Sequence, residues 1–277
     1  MASAPPSIPI ASSFFGPRDD TAVTWLGMAG AAINARGTVV LIDPLLTCVE
    51  RHGERVSETG HRFRVELPIE AKDVPKADAV LYTHADGDHF PEPTARTLNA
   101  RCEPVFLAPS PVASELAAIG VEPARLQTAR DFERHTIGNI EVRITPALHD
   151  WQQADPWRRG DCCGFFVKTP DGTVWHPGDT RLIDELLSVR GVDVLFFDVA
   201  AVHAHLGPAG SAKLAACCGA EVLLAYHYGT YEMPAGSYGG CDPADALPYV
   251  ADLSARLLQP APGQVIRLPL APSGRPT

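Results

Sequence analysis

The run THADGDHF, Thr83–Phe90, sets His84, Asp86, Asp88 and His89 within six residues, with Gly87 among them. It follows the apolar run AVLY directly. Imidazole nitrogens and carboxylate oxygens are the ligand types suited to Zn, Mn and Fe(II). Glycine at 87 relaxes the backbone, so that adjacent side chains turn toward one point. Taken alone, the same residues also describe an acidic turn whose aspartates cap a helix after Pro91.

Chemically similar residues recur where other apolar runs stop. VRITPAL ends in His149, TVWHPG in Asp179 and LLAY in His227. Loops at strand ends are where a rigid scaffold places reactive groups. The full set is His84, Asp86, Asp88, His89, His149, Asp179 and His227. These groups exceed the needs of one tetrahedral ion. They suit two divalent ions, Mn, Zn or Fe, with Asp179 between them. Two ions about 3.5–4 Å apart hold a hydroxide and polarise a substrate oxygen.

The elements that must position this set alternate. AVTWLG, AGAAINARG and TVVLIDPLL read as an opening meander of strands with a turn at Arg36-Gly37. Residues 50–75 read as an irregular insertion with a small hairpin around HRFRVEL. ADAVLY, PVFLA, IEVRITPA, CGFFVKT, TVWHPG, VDVLFFD, AEVLLAYH and QVIRLPL read as further strands. PEPTARTLNA, RLIDELLSV, SAKLAACCG and DPADALPYVADLSARL read as helices, as does SPVASELAAIG with Ser110 as its cap. The alternation points to an α/β chain with helices covering sheet faces. Two packed sheets and one doubly wound sheet both fit that order.

Bulk properties bound the function. The chain of 277 residues is 45% hydrophobic, enough for a real core, and carries a net charge of −10. Acidity without a Lys/Arg block argues against a nucleic-acid partner. The Pro- and Ser-rich residues 1–20 read as an extended surface segment with no secretory signal, ahead of a single domain over 21–277. No run approaches the ~20 apolar residues of a membrane span. The expected setting is the cytoplasm, with no membrane partner. The seven cysteines include no C-x-x-C pair and read as buried thiols of a reducing compartment.

Five motifs in order, VTWLGMAGAAINARGTVVLIDPLL, THADGDHF, PALHDW, HPGDT and AYHYGT, resemble the metallo-β-lactamase fold over residues 21–270. YHYGTYE is most similar to the branch that includes L-ascorbate-6-phosphate lactonase. The resemblance implies a four-layer αββα sandwich with the site at one edge. It implies one ion on His84, residue 86 and His149, a second on Asp88, His89 and His227, and Asp179 bridging them. The common motif is H-x-H-x-D-H, so Asp86 replaces a usual histidine. A carboxylate there moves preference from Zn toward Mn or Fe. Flavodiiron relatives also carry a carboxylate at that position.

The leading expectation is a metal-dependent hydrolase that acts on an ester, lactone, amide or phosphoester of a small molecule through a metal-bridging hydroxide. Asp88 would orient the hydroxide or pass a proton. His203 and His205, in the loop after VDVLFFD, are candidates for substrate binding or acid catalysis. Residues 150–161 read either as a lid offering Arg158 or Arg159 to an anionic substrate or as a plain polar loop. A di-iron oxygenase is the alternative, motivated by Asp86, and a non-catalytic binding module is a third. His176 is expected in the core or behind the ligands, and His52, His61 and His135 in solvent. A homo-oligomer stays open.

Overall fold

Apolar residues on both faces mark the strands of a buried sheet, and the first half of the chain builds one. The computed structural model describes residues 3–253 and 255–270. In it β1 (Thr21–Gly27), β2 (Gly30–Ala35) and β3 (Thr38–Ile42) form the expected meander. A hairpin, β4 (Cys48–Arg51) with β5 (Glu54–Ser57), stands apart. The sheet continues through β6 (Ala79–Leu81), β7 (Val105–Ala108) and β8 (Leu126–Thr128).

The second half supplies β9 (Arg134–Ile137), β10 (Ile140–Pro146), β11 (Cys163–Thr169), β12 (Gly172–His176), β13 (Val194–Asp198), β14 (Val222–Tyr226) and β15 (Arg256–Leu258). The last strand, β16 (Val265–Leu268), returns to the first sheet. The orders are β16-β1-β2-β3-β6-β7-β8 and β15-β14-β13-β12-β11-β10-β9.

Strand alternation decides which residues face which layer. Val23, Trp25, Ile33, Val40, Ile42 and Leu81 meet Phe165, Val167 and Trp175 between the sheets. Their neighbours Ala22, Leu26, Val39, Leu41 and Val80 point the other way. There they pack on Ala95 and Leu98 of α1 (Glu92–Cys102) and on Val112 and Leu116 of α2 (Ser110–Ala118). Helix α3 (Gly207–Cys218) lies against β13. The result is the αββα sandwich.

Several local expectations give way to tertiary structure. Ser110 is the first residue of α2 and Pro109 holds the cap position, with no side-chain cap. RLIDELLSV forms only a 3-10 turn, Asp184–Ser188. The helix expected over 242–257 is reduced to a 3-10 turn, Pro243–Ala246, and α4 (Leu247–Val250), because Arg256–Leu258 pairs with β14 as an edge strand. The hairpin of the insertion is at 48–57, ahead of HRFRVEL. In the N-terminal segment a 3-10 turn, Ser12–Phe15, buries Phe14 and Phe15 under the first sheet. Asn34 holds that turn by donating to the Phe14 and Gly16 carbonyls. Four cysteines are buried and three half-buried, all as free thiols.

Glu58 ties the inserted hairpin to α1. Its carboxylate accepts from the Thr94 N–H at 2.9 Å, the Thr94 hydroxyl at 2.6 Å and the Thr47 N–H at 3.0 Å. Burial pushes its pKa up to about 7, and these hydrogen bonds only partly oppose that. A raised acid binds its proton more tightly folded than unfolded. Its stabilisation is therefore complete below the unfolded value of 4.5 and is lost as pH rises through about 7. The wild-type protein should lose roughly 2 kcal/mol between pH 5 and pH 8 relative to Glu58→Gln, measured as the difference between their denaturation curves. Equal pH slopes would show that Glu58 does not titrate in this range.

Candidate metal centre

The carboxyl ends of β6, β12, β13 and β14 and the loop after β10 meet at one edge of the sandwich. Each delivers polar residues just past its last apolar one. Close approach of these loops demands glycine at 178, where φ is +67° and a Cβ would lie 2.5 Å from the Cys163 carbonyl oxygen. Gly87 carries no such demand. Its φ is not left-handed, and a Cβ there would meet only Thr59 Cγ2, at 4.0 Å. The acidic-turn reading of 84–89 also fails, because α1 begins after Pro91 with no side-chain cap.

All seven residues singled out as ligands come together here. Asp179, 3% exposed, lies at the middle. Its Oδ2 is 3.1 Å from His89 Nε2, 3.9 Å from His84 Nε2 and 4.0 Å from His149 Nε2. Its Oδ1 is 3.5 Å from His227 Nδ1. Asp86 Oδ2 faces His149 Nε2 at 3.2 Å and His84 Nε2 at 3.5 Å. Asp88 Oδ2 is 3.7 Å from His89 Nε2, which is 3.2 Å from His227 Nε2. Donor atoms of His84, Asp86 and His149 form one group that could hold an ion, and those of Asp88, His89 and His227 form another.

Outer partners fix which nitrogen faces inward. His84 Nδ1 bonds the Thr83 hydroxyl at 2.9 Å, and that hydroxyl donates to Asp43 at 2.6 Å. His89 Nδ1 donates to Asp43 Oδ2 at 2.8 Å. His149 Nδ1 donates to the Ala204 carbonyl at 3.0 Å. His227 Nδ1 is 3.3 Å from Asp198 Oδ1, and His205 Nδ1 is 3.1 Å from Asp198 Oδ2. Five imidazoles thus present Nε2 to the bay, the arrangement outer-shell partners impose on metal-binding histidines. His227 holds a left-handed φ of 61°, stabilised by its N–H to the Met28 carbonyl.

Electrostatics follow from this packing. Burial raises Asp179, but His205, His227 and His89 outweigh it and hold the acid well below its ordinary range. Burial likewise raises Asp86, but hydrogen bonds from His149 and His84 outweigh it and keep the carboxylate ionised. Burial lowers His205, yet Asp179 and Asp198 bring it up to about 9. Burial lowers His89, and Asp179, Asp88 and Asp43 hold it well above the ordinary imidazole value. Among the described residues, two of the buried atoms with no hydrogen-bond partner, His84 Nε2 and Asp179 Oδ1, lie in this bay. Buried polar atoms seldom stay unsatisfied, so ionised carboxylates and lone-pair nitrogens left open here fit a divalent cation.

The remaining candidates separate. His205 joins the bay, with Nε2 3.4 Å from Asp179 Oδ2. His203 lines the adjoining cavity but is exposed and contacts Arg181 at 2.6 Å. His176 is in the core, bonded to the Ala29 carbonyl at 2.8 Å, and burial holds it at about 4. His52 is exposed as expected, but His135, also expected in solvent, is half-buried and bonds Gln127. His61, expected in solvent, is half-buried and lines the cavity. Arg158 and Arg159 do not line it, and Arg159 instead pairs with Asp131 and Glu185.

Asp198 went unnoticed as a site residue, although VDVLFFD ends in a carboxylate just as the other strands end in theirs. Trp157, edge-on to His84 at 5.5 Å, and Trp151, whose indole N–H donates to Asp86 Oδ2 at 2.8 Å, left no signal beyond a Trp-rich loop.

Fold and site together define a class of protein. The chain belongs to the β-lactamase superfamily: the model of the "Beta-lactamase superfamily domain" matches residues 38–228. Among curated proteins it is similar to a UPF0173 metal-dependent hydrolase of Pyrobaculum arsenaticum, 26% identical over 251 residues that cover 89% of this chain and 99% of the relative. Among solved structures it is similar to Igni18, described as a novel metallo hydrolase of Ignicoccus hospitalis, with a TM-score of 0.68, 19% identity and coverage of 90% and 98%. It is also similar in fold to CmlA, a diiron β-hydroxylase of Streptomyces venezuelae, with a TM-score of 0.66, 16% identity and coverage of 91% of this chain and 55% of that one. Among the described residues no helix is long and apolar enough to cross a membrane.

Asp198 holds two imidazoles through one carboxylate. Asp198→Asn should weaken metal retention by roughly 10–100-fold, read by chelator competition, while the fold persists. Unchanged retention would show that His227 needs no such partner.

Proposed function

We propose that the chain is a metal-dependent hydrolase of small molecules that works with two divalent ions. The observation carrying this reading is the Asp179 carboxylate, buried among His84, His89, His149 and His227 with one oxygen unsatisfied. The name of the Pyrobaculum relative supports it. His84, Asp86 and His149 would hold one ion, Asp88, His89 and His227 the other, and Asp179 both. Mn and Fe suit the added oxygen donor at Asp86 better than Zn.

Such ions lower the pKa of water and polarise the carbonyl or phosphoryl oxygen under attack. The chain's own groups do the rest. Asp88 lines the cavity and can orient the attacking water or take its proton. His205 Nε2 also faces the cavity, and Asp198 at Nδ1 keeps that ring oriented and able to carry a proton to the leaving group. His203, backed by Arg181, borders the space where substrate would lie. A lactone is one substrate this chemistry serves, as the likeness of YHYGTYE to the lactonase branch implies.

Asp86 also favours a second reading, a di-iron oxygenase. One preparation separates the two. Protein purified without chelator should hold two divalent ions per chain and hydrolyse an ester, lactone or amide. Asp179→Ala should lose metal, with activity falling at least about a hundredfold. Two irons with near-UV absorption, O₂ uptake and no hydrolysis would replace the hydrolase with the oxygenase.

A further inference from the structure

We propose that the substrate is an uncharged molecule with a flat apolar body that lies against Trp151, and not a phosphorylated or carboxylated one. This deepens the hydrolase reading and rests on it. The cavity over the centre has a volume of about 800 Å³, the size of a small-molecule site.

Its lining carries the carboxylates of Asp86, Asp88 and Asp179 and the imidazoles of His61, His149, His203 and His205, the last of them already paired with Asp179 and Asp198. Among the described residues no lysine or arginine lines it. Recognition of phosphate or carboxylate ordinarily uses a guanidinium or an ammonium. The nearby guanidinium of Arg181 sits behind His203 and is already paired with Asp150. The loop arginines expected to meet an anion are elsewhere, Arg159 being held by Asp131 and Glu185.

Asp86 acts in the same direction. With the His205 imidazole offset by Asp198, two divalent ions against Asp86, Asp88 and Asp179 leave a single unit of positive charge for nucleophile and substrate together. An imidazole at 86 would leave two. An anionic substrate therefore gains less from this centre than from one with histidine in that place.

Trp151 supplies the apolar face. Among the described residues, it is the one exposed large apolar side chain that lines this cavity, at 49% exposed. Its indole N–H is pinned to Asp86 Oδ2, so the ring is held in place before a ligand arrives. Val202 and Tyr238 add apolar surface, and Thr59 and Gln153 add uncharged hydrogen-bonding groups. An aromatic face of this kind contributes through stacking.

The test is equilibrium binding of lactone-shaped ketones, which cannot be hydrolysed, to the metal-loaded protein by titration calorimetry. A phenyl-substituted cyclopentanone should bind at least about tenfold more tightly than its carboxylate-substituted counterpart. Trp151→Ala should remove most of that factor and Trp151→Phe should keep most of it, with melting temperatures unchanged. Equal or tighter binding of the carboxylate, or a ratio indifferent to Trp151→Ala, overturns the proposal. Phenyl selectivity with no hydrolysis of any lactone, ester or amide would instead sink the hydrolase reading and leave the uncharged site standing.

Discussion

Three carboxylates withdrawn from water, Asp43, Asp179 and Asp198, set the terms for everything at this edge of the sandwich. A buried charge is tolerated only when opposite charge or hydrogen bonds surround it. Asp43 is met by Thr83 and His89, Asp198 by His205, His227 and the Ala200 N–H, and Asp179 by imidazoles on several sides. Those partners come from both sheets. Asp43 finds its partners in the first half of the chain and Asp198 in the second, but Asp179 takes His84 and His89 from one and His149 and His227 from the other, so the two halves must pack together for it to remain ionised.

The same arrangement divides labour within each imidazole. Nδ1 is committed to an oxygen of the scaffold, and Nε2 is left for chemistry. Because the outer partners are wholly buried, the rings are held before any ion arrives. Preorganisation of this kind places an ion without spending binding energy on ordering its ligands. Asp86 departs from it. It is less buried than Asp179, and its outer partner is the exposed Trp151. The residue that distinguishes this chain from the common motif is thus the one coupled to the cavity wall.

Much of this was legible in the residues. Strand-end positions made His84, His149, Asp179 and His227 candidates, because a polar residue after an apolar run is presented at the sheet edge. Helix ends and the short C-terminal elements were not. Arg256–Leu258 has a helix-compatible composition, and only the open edge of β14 draws it into the sheet. RLIDELLSV has helical periodicity, yet it turns just once before the chain must enter β13. Propensity yields to neighbours in both places.

By itself the amino-acid order determined the candidate ligand types, their order along the chain and the departure at Asp86, since these depend on residue identity at strand ends. The tertiary structure decided which nitrogen each histidine turns inward, that His61 faces the cavity and that Arg159 does not. Those outcomes depend on partners distant in sequence, such as Ala204 for His149 and Glu185 for Arg159. No local pattern encodes a contact whose other half is set by how two sheets pack.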